Sequence, residues 1–180
     1  MTKRRSATSE DQAQQLLEEL GIDVVPVPVE RIPGMLGAEL RYSPLDEELS
    51  GMAYVKDGVP IIGVNSLHHP NRQRFTIAHE IAHVRMHRDF ITNSVHVDKT
   101  YPISVLRRDK LSAAGTEYLE IQANKFAAAL LVPRKKLEQF LSERQIDIDD
   151  EGALDACARK FRVSRAMLNY RISNLLAELG

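Results

Sequence analysis

The pattern of apolar and polar positions indicates a β-rich stretch between helical regions. A first helix is predicted over 9–20, because Ser9 can cap it, acidic residues follow in its first turn, and Gly21 can end it. Short apolar or alternating runs bounded by turn residues then predict three strands, over 38–42, 51–55 and 59–64. Asp57-Gly58 between the last two runs is typical of a tight hairpin turn. We therefore expect a small, largely antiparallel sheet.

Helical patterns dominate the rest of the chain. Pro70 and Asn71 are suited to the start of a helix that continues without a breaker to His87. Residues 88–115 lack periodicity and are predicted to be a loop bordering the functional site. Four further helices are predicted, from about Thr116 to Leu131, from Arg134 to Arg144, from Asp149 or Asp150 to Phe161, and from Arg165 to Leu179. The predicted fold class is α+β, with a small antiparallel sheet packed on the helix 70–87 and a helical C-terminal half.

Composition limits the function classes. Apolar residues make up 43% of the 180 residues and charged residues 27%, which is typical of a globular protein with a proper core. The net charge of -1 does not indicate nucleic acid or an acidic membrane as a partner. No apolar run reaches the roughly 18–20 residues of a membrane-spanning helix. A single cysteine, Cys157, excludes an internal disulfide and is expected in the core. We expect a cytoplasmic protein.

The strongest chemical signal is His79-Glu80-Ile-Ala-His83, an H-E-x-x-H motif within the helix 70–87. Residues four apart lie one above the other on a helix, so His79 and His83 can direct their imidazoles at one zinc ion. Glu80 lies about 100° around the helix from His79. From there its carboxylate can take a proton from a zinc-activated water without binding the metal, which is the chemistry of zinc-dependent peptide hydrolysis.

A third protein ligand is required, because catalytic zinc usually has three protein ligands and one open position. His87 lies eight residues from His79, about 12 Å along the helix axis, which is too far to share an ion. The remaining candidates are carboxylates and one imidazole further along the chain, namely Asp89, His96, Asp98, Glu117 and Glu120. On a downstream helix, Glu120 can complete a His/His/Glu set, and Asn124 one turn later could orient a ligand.

Two separated motifs resemble the ImmA/IrrE family of zinc metallopeptidases. They are Arg74-Phe-Thr-Ile-Ala-His-Glu-Ile-Ala-His83, preceded by Ile62-Gly-Val-Asn65, and Glu120-Ile-Gln-Ala-Asn-Lys-Phe-Ala-Ala-Ala-Leu-Leu-Val-Pro133. The resemblance covers roughly residues 10–140 and implies a gluzincin-like site. In that site His79, His83 and Glu120 bind one zinc ion and Glu80 is the general base. The resemblance also implies that the substrate is a helix-turn-helix transcriptional repressor.

The C-terminal segment is similar to a helix-turn-helix, with two helices joined by a short turn at 162–164. It is locally basic through Arg159, Lys160, Arg162, Arg165 and Arg171, a pattern that could contact DNA phosphates. Acidic residues directly upstream, at 147–151, weaken that interpretation. We therefore expect this segment to pack on the core or dock a partner, with direct DNA contact as the rival hypothesis.

The sequence predicts three parts: a disordered tail over 1–8, a zinc metallopeptidase core over 9–145, and a C-terminal helical segment over 146–180 packed on that core. The predicted function is a cytoplasmic zinc endopeptidase that makes no membrane contact. The alternative is a DNA-binding or repressor-binding regulator whose metal site is structural or vestigial. Tyr101 and Tyr118 are the candidates for stabilising an oxyanion.

Overall fold

The computed structural model describes residues 7–93, 96–99, 110–143 and 150–179. The first helix, α1, spans Ser9–Glu19 and its cap is Thr8, one residue earlier than predicted. The Thr8 hydroxyl accepts the backbone N–H of Asp11 at 3.1 Å, and the Asp11 carboxylate accepts the N–H of Thr8 at 2.8 Å. This reciprocal pair satisfies two N–H groups at the helix start.

The described strands form one sheet in the order β1–β3–β2–β4, where β1 is Glu39–Ser43, β2 is Leu49–Lys56, β3 is Val59–Asn65 and β4 is His96–Lys99. β2 and β3 make the predicted antiparallel hairpin. Its turn places Asp57 and Gly58 at φ of 52° and 81°, the left-handed conformations that a two-residue type I′ turn needs. β2 also pairs antiparallel with β4, a strand within the stretch predicted to be a loop.

β1 departs from the predicted antiparallel arrangement, since it runs parallel to β3. The chain between β1 and β2 therefore crosses the end of β3, and the buried side chain of Asn65 holds it there. Its amide nitrogen donates to the carbonyl oxygens of Leu49 at 2.8 Å and Asp46 at 3.1 Å. The N–H of Leu45 donates to its amide oxygen at 3.3 Å. The alternation of apolar and polar residues along a strand does not predict such a crossing, because the crossing depends on a side chain some twenty residues away.

The helices pack on the sheet and on each other to complete the α+β fold that the sequence predicts. Helix α3, Pro70–Met86, lies against β2 and β3 and also packs on α5, Lys110–Leu131. Helices α1 and α8, Arg165–Leu179, pack on α5 as well. The shorter elements are a 3₁₀ turn at Val29–Arg31 and helices α2, Ile32–Met35; α4, Arg88–Asn93; α6, Arg134–Glu143; and α7, Glu151–Phe161. None of the described helices is both long and apolar enough to cross a membrane.

The stretch between α3 and α5 differs most from the sequence prediction. It contains α4 and β4, and α5 begins at Lys110, six residues before the predicted start at Thr116. The rest of the predicted loop, 94–95 and 100–109, lies outside the described residues. The later caps agree with prediction. Asp150 accepts the N–H of Ala153 at 3.0 Å, and Ser164 accepts the N–H of Met167 at 3.1 Å.

The C-terminal helices share the core of the molecule. Apolar residues of α7 and α8 are buried in the same cluster as α3 and α5, namely Leu154, Cys157, Ala158, Phe161, Met167 and Leu168. Arg171 of α8 is only 1% exposed. It donates to the carbonyl oxygen of Val132 at 2.9 Å and to the Glu10 carboxylate of α1 at 2.7 Å. Helix α8 thus packs against α1 and α5, α7 packs on α8, and Cys157 lies in the core.

Candidate metal centre

Helix α3 carries the two histidines of the motif. It begins as predicted, with Pro70 at its first position and the His69 ring accepting the N–H of Asn71 at 3.2 Å. Its apolar residues are buried in the core, among them Ile77, Ala78, Ile81, Ala82 and Val84. Because the helix is held along this length, His79 and His83 are fixed one turn apart, and both contact side chains of α5.

Three side chains bring their donor atoms together between α3 and α5. The Nε2 atoms of His79 and His83 are 3.2 Å apart. The Glu120 carboxylate lies 3.1 Å from His79 Nε2 and 3.5 Å from His83 Nε2. Ligands at about 2.0–2.1 Å in a tetrahedral zinc site are separated by about 3.3 Å. The separation of the two Nε2 atoms is close to this value, and one oxygen of the Glu120 carboxylate lies near each of them, so the three residues could hold a metal ion.

The other ring nitrogen of each histidine is held by a hydrogen-bonding partner. His79 Nδ1 lies 3.0 Å from Asn124 Oδ1, the contact that the sequence predicted for Asn124. An amide oxygen can only accept, so this contact assigns a proton to Nδ1 of His79. Nε2 is then left with a lone pair directed at the cluster. This is the tautomer that a histidine needs to bind a metal through Nε2.

His83 is oriented by a longer chain of contacts that begins at His87. His83 Nδ1 lies 3.1 Å from His87 Nδ1, and His87 Nε2 lies 3.1 Å from Gln122 Oε1. The amide nitrogen of Gln122 donates to the Tyr118 hydroxyl at 3.2 Å. One assignment satisfies every contact: His87 donates from Nε2 to Gln122 and accepts the Nδ1 proton of His83. His83 then also presents a deprotonated Nε2 to the cluster.

Burial keeps His87 in the state that this chain requires. His87 is 7% exposed, and desolvation lowers its pKa below the usual value for histidine. A neutral imidazole has one nitrogen that accepts and one that donates, whereas the protonated ring only donates. The two nitrogens with lone pairs lie 3.2 Å apart, and the Glu120 carboxylate lies 3.1 and 3.5 Å from them. This set of donors suits a cation.

Glu80 lies beside this cluster and is fully buried. Its surroundings include β2, where a Cβ placed on Gly51 would lie 3.4 Å from Glu80 Oε1. The same Cβ would lie 2.4 Å from the Thr76 side chain and 2.8 Å from the Gly63 carbonyl oxygen. Only glycine lets β2 approach α3 this closely at the carboxylate. The backbone of β2 thus forms a wall of the Glu80 site.

Among the described residues, Asp89, Glu117 and His87 are not part of the cluster. Asp89 is exposed on α4, and Glu117 is exposed on α5. His87 contacts Nδ1 of His83, whereas the Glu120 carboxylate lies near Nε2 of His83. The side chains of His96 and Asp98 lie outside the described residues, as does Tyr101. Tyr118 is 60% exposed, and its hydroxyl accepts from Gln122.

Sequence reasoning missed two residues of this site. His87 was considered as a ligand and set aside on distance, but its role as partner of His83 was not foreseen. The signal was present, because His79, His83 and His87 form one series at i+4 spacing. The sequence predicts a strand at Gly51 but does not show that the glycine lets this strand pack closely on α3. Only the packing of β2 on α3 shows this role.

The α+β fold thus carries a His/His/Glu group that could hold a metal ion. The family model for the IrrE N-terminal-like domain, Peptidase_M78, matches residues 34–173. The chain belongs to this family, which agrees with the resemblance seen in the two motifs.

A solved structure described as a Mycobacterium tuberculosis transcriptional regulator is similar in fold, with a TM-score of 0.63 and 21% sequence identity. The match covers 92% of this chain and 46% of that one, so the chain spans about half the length of this neighbour. The search of curated protein sequences gives no significant match.

Proposed function

We propose that the chain is a zinc-dependent endopeptidase in which His79, His83 and Glu120 hold one zinc ion. Glu80 is the general base in this proposal. The observation that carries it is the cluster itself: the two Nε2 atoms lie 3.2 Å apart, the Glu120 carboxylate lies 3.1 and 3.5 Å from them, and a partner contacts the Nδ1 atom of each imidazole. Zinc, when bound, would polarise the scissile carbonyl and lower the pKa of a water molecule.

The residues of the chain perform the proton transfers. Glu80 Oε accepts the proton that the attacking water loses and delivers it to the nitrogen of the leaving amine. Burial against Gly51 and Thr76 fixes the carboxylate and excludes bulk water from that side. Glu120 is 29% exposed, whereas His79 and His83 are at most 3% exposed. The cluster is therefore approached from the side of Glu120.

A sheet edge near the site supports an extended substrate. β4 is the outermost strand of the described sheet on the side of β2, and Asp98 of β4 pairs with Gly51. The edge thus lies about one strand spacing, 4.8 Å, beyond the strand that contacts Glu80. A peptide could add to this edge by backbone hydrogen bonds. We propose a helix-turn-helix repressor as the protein that is cut, on the basis of the family resemblance.

The rival function is a DNA-binding or repressor-binding regulator with a structural or vestigial metal site. The basic residues of α7 and α8 are partly committed within the fold. Arg171 is buried against Glu10, and Arg165 pairs with Asp155 at 2.9 Å. Because these arginines pair with carboxylates, α7 and α8 present less positive charge to DNA phosphates than the sequence indicates. The contacts therefore favour the peptidase over the DNA-binding alternative.

The deciding experiment compares Glu80→Gln with the wild-type protein. Glutamine keeps the shape of the side chain but cannot take a proton, so cleavage of a repressor substrate should fall by about 10²–10⁴-fold. Zinc content should stay at one ion per chain, because Glu80 is not a ligand in this proposal. Cleavage would be followed by mass spectrometry and zinc by elemental analysis.

Glu117→Gln is the matched control, since it removes one carboxylate from the exposed side of α5, one turn before Glu120. It should leave both cleavage and zinc content unchanged. A Glu80→Gln protein that cuts as fast as the wild type would rule out Glu80 as the base. A zinc-loaded wild-type protein that cuts nothing would favour the regulatory alternative.

A further inference from the structure

A cavity of about 570 Å³ lies beside the metal centre, between α3 and the start of α8. Phe75 of α3 and Asn124 of α5 line the side nearest the histidines. Val163, Met167 and Tyr170 line the opposite side. The remaining lining residues are at the start of α3 and in the cap of α8, namely His69, Asn71, Arg72 and Ser164. Its volume falls in the range of sites that bind small ligands or single side chains.

The cavity exists because a buried arginine ties the turn between α7 and α8 to α3. Arg74 donates from Nη1 to the Glu30 carboxylate and from Nη2 to the Val27 carbonyl, both at 2.7 Å. Its Nε donates to the carbonyl oxygen of Arg162 at 3.3 Å. Arg162 has a φ of 54°, which turns the chain sharply. The following residue, Val163, is thereby buried in the cavity wall.

The cavity and the metal centre share a residue. Asn124 lines it and also holds His79 at 3.0 Å. The ring of Phe75 lies 6.4 Å from the ring of His79. Phe75 and His79 lie one turn apart on α3, so this part of the cavity lining is one helix turn from the metal centre. A peptide bound at the metal centre would therefore pass close to the cavity.

The walls are apolar where the ligand would be most enclosed. Phe75, Val163, Met167 and Tyr170 contribute aromatic rings, a branched aliphatic side chain and a thioether. Such walls favour an apolar side chain, which gains free energy by leaving water, and disfavour a charged one. Methionine adapts its shape to different apolar partners.

We propose that this cavity receives a large apolar side chain of the substrate, such as Leu, Met or Phe, from a residue near the scissile bond. This inference rests on the proposed peptidase function and adds a substrate preference to it. It also gives the helix pair α7–α8 a role, because the N-terminal part of α8 forms a wall of the substrate site.

The first test measures which peptides are cut. Zinc-loaded protein is incubated with peptides from a tryptic digest of a bacterial proteome, and mass spectrometry identifies the residues around each cut. The wild type should enrich Leu, Met or Phe at one position beside the cut. Met167→Trp, which fills the cavity, should reduce the preference for Leu over Ala at that position by about tenfold.

Tyr170→Ala widens the mouth of the cavity at a residue that is 37% exposed, so it does not depend on repacking the core. It should broaden the preference toward larger aromatic residues. Leu176→Trp is the control, because it adds the same ring to α8 at a position 53% exposed and outside the cavity. Its cleavage pattern should equal that of the wild type. Identical patterns in Met167→Trp, Tyr170→Ala and the wild type would overturn the proposal.

A second test separates the cavity from catalysis. Metal-free protein is titrated with N-acetyl-leucine amide or N-acetyl-glycine amide, and the methionine methyl signals are followed by NMR. The leucine probe should shift the Met167 signal, while the exposed Met35 should not respond. A Met167 signal insensitive to the leucine probe would refute the cavity proposal. A clear shift in a protein that cuts no peptide would instead refute the peptidase function and leave the cavity as a binding site.

Discussion

The metal centre and the apolar cavity share Asn124, yet they depend on the chain in different ways. In the metal centre, residues four apart on one helix supply two of the three proposed ligands and the partner of one of them. In the cavity, one wall comes from α3 and the other from α8, some ninety residues later. Local helix geometry sets up the proposed chemistry, whereas long-range packing sets up the proposed selectivity.

This difference has a physical consequence. The spacing of His79 and His83 survives any change that leaves α3 helical, because the helix fixes it. The cavity depends on packing between distant elements, including the hydrogen bond from Arg74 of α3 to the carbonyl oxygen of Arg162. Substrate preference should therefore be easier to alter by mutation than metal binding. Each of the two regions therefore serves as the reference when the other is altered by mutation.

The largest effect is expected for Arg74→Met, which removes the tie between α3 and the α7–α8 turn. The buried Val27 carbonyl, the Arg162 carbonyl and the partly exposed Glu30 carboxylate lose their donor, so the free energy of unfolding should fall by about 3 kcal/mol. Urea unfolding measures this. Arg41→Met removes an ion pair with Glu39 whose partners are about half exposed, and it should cost less than about 1 kcal/mol. Equal losses in the two variants would show that Arg74 does not hold the cavity together.

The next effect concerns the close approach of β2 to α3. Gly51→Ala places a methyl group against Thr76 and the backbone of Gly63, and overpacking of this kind should cost about 2 kcal/mol. Glu80 should also be displaced, so cleavage should fall further than zinc affinity does. At Gly63 a Cβ meets the flexible Met52 side chain at 2.9 Å, so Gly63→Ala should be milder. If Gly51→Ala cuts at the wild-type rate, the backbone of β2 is not needed to position Glu80.

A smaller effect, confined to the metal centre, is expected for His87→Ala. Loss of the partner that orients His83 should weaken zinc binding by about tenfold, as measured by competition with a chelator. His87→Gln keeps an accepting oxygen near His83 and should recover part of the affinity. Binding of the leucine probe in the cavity should not change in either variant. Unaltered zinc affinity in His87→Ala would contradict the proposed tautomer of His83.

Much of the metal helix could be predicted from sequence because its signals are local. Pro70, the i+4 histidines and the Asp57-Gly58 turn each act within a few residues, and the structure contains the predicted helix start and hairpin. The close approach of Glu120 to both histidines was proposed on the resemblance and on small residues of α5, and the structure brings these side chains together.

The rest depends on contacts that spacing does not encode. The parallel pairing of β1 requires Asn65 to hold a crossing chain, and β4 finds its place only by pairing with β2. The cap at Thr8 was missed because its reciprocal partner Asp11 was taken only as a favourable first-turn charge. The cavity could not be foreseen, since its walls meet only after α8 packs on the core.

The most direct test of the account is a crystal structure of the zinc-loaded protein, with anomalous diffraction measured at the zinc edge. The account predicts a single zinc ion bound by Nε2 of His79, Nε2 of His83 and the carboxylate of Glu120, with the fourth position open to solvent and Glu80 beside it. A zinc ion bound without Glu120, or closed by a fourth protein ligand, would contradict it.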